Sequence, residues 1–144
     1  MIHILRIGGG GNVKPRDLGI FAVDNGRRLL DISDGTSKTL AVGELQRLYN
    51  PTITTCTRIS DDGWAVGGAA TIFDTCADLM ARDGLASSGI NSGHFQTPGS
   101  DHPGGAHFCM ADGSVHFFSE NMSGFVLQDM GSCTGGEVVE LYSN

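Results

Sequence analysis

The 144-residue chain is short of positive charge, of aromatic rings and of long apolar runs. Nine Lys and Arg stand against 16 Asp and Glu, giving a net charge of −7. That balance offers no basic surface from which phosphate binding could release counterions, and it argues against nucleic acid as a partner. The uncharged run from Trp64 to Phe73 is interrupted by glycines and falls far short of the ~20 apolar residues of a membrane-spanning helix. The opening residues, Met1 to Arg6, lack the basic and apolar regions of a signal peptide. None of the four cysteines, Cys56, Cys76, Cys109 and Cys133, sits in a Cys-x-x-Cys pair. A zinc knuckle or a thioredoxin-type centre is therefore not expected. One or two disulfides, or small buried free thiols, both fit this spacing.

Catalytic motifs are missing as well. The chain has no Gly-x-Ser-x-Gly elbow for a nucleophilic serine and no His-Glu-x-x-His zinc motif. The four glycines Gly8 to Gly11 are followed by Asn12-Val13-Lys14-Pro15 rather than the Lys-Ser/Thr of a phosphate-binding loop. His102 beside Asp101, and a Cys109–His116 pair, are the remaining candidates for nucleophilic or acid–base work, and neither spacing is specific. The expectation is a protein that is not an enzyme.

Glycine, by contrast, is abundant at 22 residues, which predicts many turns and few long helices. Residues 1–17 read as a flexible Gly-rich lead-in and 18–144 as one globular domain. A short strand is expected over Leu18–Val23, with a turn at Asp24-Asn25-Gly26. Asp34, Gly35 and Ser37 supply turn chemistry ahead of a strand at about 38–43, with Asp34 and Ser37 bonding nearby amides. Asp61-Asp62-Gly63 reads as a turn before a strand at Trp64, although two adjacent acids also suit an oxygen-ligand cation site. Apolar residues at 72, 73, 76, 79 and 80 predict a short amphipathic helix ending near Gly84. The Ser-, Gly- and Pro-rich stretch from Leu85 to Gly105 reads as a long surface loop.

The strongest local signal is His107 to Phe118, two alternating runs around Asp112-Gly113. A two-residue hairpin turn would place Phe108, Met110, Val115 and Phe117 on a core face, with Cys109 across from His116. The other face would then carry His107, Cys109 and His116, a set suited to zinc or copper. After the hairpin, Ser119 or Asn121 is placed to cap a helix with Met122, Phe125, Val126 and Met130 along one stripe and Gly131 past its end. Val138–Leu141 reads as a last edge strand. The fold class is α+β, an antiparallel sheet with one or two short helices. Trp64, with the 85–105 loop, is the candidate surface for a glycan or small solute.

Three segments together resemble a known family: Asp31 to Glu44, reading DISDGTSKTLAVGE; Gly89 to Gly93 with Ser100 to Ala106; and Phe108 to Glu120 around ADGSV. His102 is followed by nine residues and then Asp112-Gly113. This is similar to the His, nine residues, Asp-Gly signature of pseudopilin-like proteins of unknown function expanded in planctomycete bacteria. Lys38, His107 and Cys109 depart from the usual wording. The resemblance covers roughly residues 18 to 140 and is to the C-terminal globular part, since the apolar stalk helix has no counterpart here. It implies a pilin-head-like fold and a non-enzymatic structural or interaction module of a secretion or pilus-like assembly. It also implies location at the cell envelope or outside the cell, with protein partners. The signature residues His102, Pro103, Gly104, Gly105, Asp112 and Gly113 are then expected to serve the fold, with His102 pinning its loop. Related heads often bind calcium in a C-terminal loop, so the resemblance would imply an oxygen-ligand site drawn from acids such as Asp101, Asp112 or Asp129, although no ligand spacing marks one. No cofactor is firmly implied; calcium or zinc is the candidate.

Overall fold

The computed structural model describes residues 3–4, 19–22, 25–45, 72–73, 75, 89–92 and 97–136. Its centre is a three-stranded antiparallel sheet in the order β4-β6-β7, formed by Leu40–Gly43, Gly105–Met110 and Val115–Ser119. One α-helix, α1 (Gly124–Gly131), follows β7. Two small pairings lie beside the sheet. The strands β2 (Phe21–Ala22) and β3 (Asn25–Gly26) are antiparallel, while β1 (His3–Ile4) and β5 (Ile72–Phe73) are parallel. The class is α+β, and among the described residues no helix is long and apolar enough to cross a membrane.

The middle strand β6 alternates as the sequence demands, burying Ala106, Phe108 and Met110 and turning His107 and Cys109 outward. Leu40 pairs with Met110 and Gly43 with Phe108 on the same inner face. Between them a bulge at Ala41 shifts the register, so that Ala41 packs with Ala111 against Ile20, Ile32 and Cys133 as a second small core. Phe73, Ile90, Phe118, Leu127 and Met130 complete the main core. Phe108 lies edge-on to Phe73, with ring centroids 5.9 Å apart, a favoured geometry for aromatic pairs.

The hairpin differs from the two-residue turn by one residue. Met110 donates its N–H to the Ser114 carbonyl, and Gly113 donates to the Met110 carbonyl. The loop is therefore Ala111-Asp112-Gly113, three residues long, with Gly113 at φ +87°. A glycine in the left-handed region is what a three-residue hairpin loop requires at that place. The pairing becomes Cys109 with Val115, Phe108 with His116, His107 with Phe117 and Ala106 with Phe118. A one-residue slip turns a whole strand over. Val115 and Phe117 are accordingly 63% and 47% exposed, whereas Phe118 is 8% exposed and in the core.

Other expectations also shift. Ile72–Phe73, expected to open a helix, forms a strand paired with His3–Ile4, two residues of the expected lead-in. Asn25-Gly26, expected in a turn, lies in β3. The loop before β6 is irregular as expected, but Thr97, Pro98 and Ser100 are buried rather than spread over the surface. The helix α1 begins only at Gly124, so Ser119 and Asn121 do not cap it. Its buried residues are Leu127, Met130 and Gly131, and Phe125 is exposed. The strands expected at Trp64 and at Val138–Leu141 lie outside the described residues.

Candidate functional site

At the C-terminal end of β4, Glu44 continues the ladder by one step, donating its N–H to the His107 carbonyl at 3.2 Å. The His107 N–H returns to Glu44 Oε2 at 2.7 Å, and Gly99 N–H donates to the Glu44 carbonyl. Glu44 is thus fixed by its backbone on one side and its carboxylate on the other. Ser100 positions His102 from the opposite direction. Its hydroxyl donates to the Gly105 carbonyl at 2.7 Å and accepts the His102 N–H at 3.0 Å. Ser100 is itself held through its N–H by Asn91 Oδ1, and Asn91 Nδ2 donates to Glu120. Asn91 sits at φ +57°, a conformation asparagine tolerates better than most side chains.

These supports bring three groups together. His102 Nε2 lies 3.3 Å from Glu44 Oε1, and His107 Nδ1 lies 3.4 Å from Glu44 Oε2. The two imidazoles meet edge to face at 5.0 Å, and Phe117 backs His107 at a further 5.0 Å. One ligand atom from each of Glu44, His102 and His107 falls within 4.8 Å of the others. Burial alone would push the Glu44 carboxyl up, but the His107 N–H and the two imidazoles outweigh it and hold the group below the usual carboxylate range.

The triad expected on the hairpin is not assembled. His107 and Cys109 share the outer face, while His116, paired with Phe108, lies on the inner one and stacks on Phe118. Cys109 Sγ donates to the Met110 carbonyl instead. His116 Nε2 is 3.0 Å from Ser114 Oγ. Since that hydroxyl gives its proton to Asp112 at 2.7 Å, the imidazole N–H donates to it. The serine therefore stands between the acid and the histidine, not beyond the histidine as in a nucleophilic triad. Cys109 carries a free thiol, while the buried Cys133 Sγ donates to the Gly19 carbonyl, and burial pushes its thiol up. Trp64, Asp61, Asp62, Cys56 and Cys76 lie outside the described residues.

The acids of the motifs are engaged within the chain. Asp112 Oδ1 accepts both the N–H and the hydroxyl of Ser114, which hold its carboxyl below the ordinary value near 3.8. A group so depressed contributes stability above its unfolded pKa and loses it as pH falls through the folded one. The difference in melting temperature between the parent chain and Asp112→Asn is therefore expected to shrink below about pH 3.8. A difference that stays constant down to pH 2 would refute this role. Asp34, expected to bond nearby amides, instead reaches Gly135 N–H at 2.8 Å, Gly136 N–H at 2.9 Å and the Ser132 hydroxyl at 3.2 Å. The tip of the hairpin is tied to the same region, Ala111 N–H donating to the Thr39 carbonyl and Asp112 N–H to that of Thr36.

A family model described as "Protein of unknown function (DUF1559)" matches residues 9–123. The chain belongs to the DUF1559 family. No curated protein and no solved structure matches it. The DUF1559 match takes in the whole sheet, the Asp34 turn and all three residues of the Glu44, His102 and His107 cluster. Of these, sequence reasoning singled out His102 and His107 in different roles and missed Glu44. Its partner His107 lies 63 residues downstream, and a lone acid at a strand end carries no local signal. Asn91 was part of a motif, but nothing in its spacing announced that it would brace Ser100.

Proposed function

We propose that this DUF1559 chain is a non-enzymatic, pseudopilin-like head that acts as a structural or interaction module of an envelope-associated assembly. The observation that carries this reading is where the polar atoms of the signature segments go. Asp34 fastens the turn after β3 to the residues following α1, and Asp112 closes the hairpin loop. Gly104, at φ +83°, passes its carbonyl to Glu120 N–H, locking the approach to β6 against the end of β7. Residues used in this way serve a rigid small body, which suits a module that presents a surface to protein partners. The outer face of the sheet, with Val42, Val115 and Phe117 exposed beside His107, is the apolar part of that surface.

The test is made on the product of the complete native gene. Cell fractionation with mass spectrometry of the mature N-terminus is expected to find it in the envelope or outside the cell. Cross-linking in intact cells is expected to join it to other envelope proteins. A protein that stays in the cytoplasm, from a gene encoding no hydrophobic N-terminal segment, would sink the proposal.

A further inference from the structure

We propose that Glu44, His102 and His107 form a site for one divalent transition-metal ion of the zinc class, joining the end of β4, the loop before β6 and β6 itself. The geometry carries this beyond the structural reading of the signature. Metal–ligand distances of about 2.0–2.1 Å put neighbouring ligands of a tetrahedral zinc about 3.3–3.4 Å apart. The two histidine–carboxylate contacts are of that length, 3.3 Å from His102 to Oε1 and 3.4 Å from His107 to Oε2, one to each oxygen of the carboxylate. A charge-assisted N–H···O bond is typically about 2.7–2.9 Å, so both contacts are longer than a close ion-pair hydrogen bond, and with one ligand atom from each of the three residues within 4.8 Å of the others the cluster has the dimensions in which a small ion fits.

Fold stability does not account for the cluster either. The side chains of His102, His107 and Glu44 are 55%, 45% and 35% exposed, and ion pairs at that exposure contribute about 0–1 kcal/mol. Yet the backbone on both sides of each group is fixed, Glu44 by Gly99 and His107, and His102 by Ser100 and Asn91. Prepositioned ligands on separate elements are what a metal site needs. Two imidazoles with one carboxylate select zinc and its neighbours over calcium or magnesium, which require oxygen donors. The net charge of −7 draws cations toward the chain. Three protein ligands leave the fourth position to water or to a donor from a partner.

The test uses the full chain without an affinity tag, stripped with chelator and titrated with zinc chloride by calorimetry. One equivalent of zinc is expected to bind at micromolar concentration or tighter and to raise the melting temperature. Glu44→Gln and His102→Ala are each expected to weaken binding at least about 100-fold, the upper end of what losing a mere supporting group does to metal affinity. Cys109→Ser and His116→Ala are expected to leave it unchanged. Glu44→Gln retains an oxygen for the His107 N–H, and circular dichroism checks that it folds. Cobalt added to the parent chain is expected to give tetrahedral visible bands without a thiolate charge-transfer band, which reads the ligand set with no mutation. The proposal is overturned by no saturable zinc uptake at micromolar concentration, by binding that survives Glu44→Gln together with His102→Ala, or by a thiolate band that vanishes in Cys109→Ser.

Discussion

Phe108→Ala is expected to lower the unfolding free energy by about 3–5 kcal/mol, the range for a truncated core aromatic. Phe108 is fully buried on the middle strand and touches both Phe73 and Phe118, whose ring centroids lie 5.9 and 5.7 Å away. Across the ladder Gly43 leaves it room; a Cβ there would come within 2.6 Å of the Phe108 ring. The hole left by alanine would be walled by paired strands on both sides, which cannot collapse into it. Urea melts followed by circular dichroism give the number. The same series tests the register: Phe118→Ala is expected to cost several times more than Phe117→Ala, which should stay below about 1 kcal/mol as a half-exposed site. Equal losses at 117 and 118, or a larger one at 117, would refute the pairing.

The second large effect is expected at Gly105→Ala, about 3 kcal/mol or more, at or beyond the upper end of ordinary overpacking. A Cβ on Gly105 would run into the Phe118 carbonyl oxygen and come within 2.9 Å of the Phe117 ring. A side chain can rotate away, but a carbonyl in the ladder cannot move without parting β6 from β7. Its neighbour Gly104 supplies the control. A Cβ there meets nothing within 4 Å, so Gly104→Ala carries only the strain of left-handed backbone, about 1–2 kcal/mol. Thermal melts of the two variants should therefore separate clearly. If Gly104→Ala proves the more damaging, the close approach of the strands is not what the second glycine of the His-Pro-Gly-Gly segment provides.

Much of this architecture is legible in the chain itself. The alternation on either side of Asp112-Gly113 marks the hairpin, and Leu40 to Gly43 lies where turn residues hand over to a strand. What the pattern does not contain is the loop length. Two- and three-residue loops both place Gly113 plausibly, and the choice rests on ties from Ala111 and Asp112 to Thr39 and Thr36, on a different part of the chain. Ile72 and Phe73 fit helical spacing as well as a strand, and pairing with His3–Ile4 decides between them. The apolar stripe expected on this helix includes Phe125, which α1 leaves exposed; from Gly124 the buried positions are 127, 130 and 131. The metal cluster was half visible. Its two histidines stand out in the sequence, but His107 groups there with Cys109 and His116 through a register that the fold does not adopt, His102 reads as a pin for its own loop, and the carboxylate that unites them comes from the end of another strand.

The Asp34 staple also says something about the order in which this protein can be made. The carboxylate is synthesised well before its partners, since Ser132 lies 98 residues later and the two glycine amides later still. Until those residues have left the ribosome, the Asp34 carboxylate lacks its three distant donors, and the turn that carries it has only its local bonds and, once the hairpin has emerged, the ties from Ala111 and Asp112. β4 waits in the same way, since its neighbour in the sheet is β6. The Asp34 fastening therefore forms on the ribosome only after residues 132–136 have emerged, and nascent chains stalled before residue 132 should be more open to protease at this turn than longer ones.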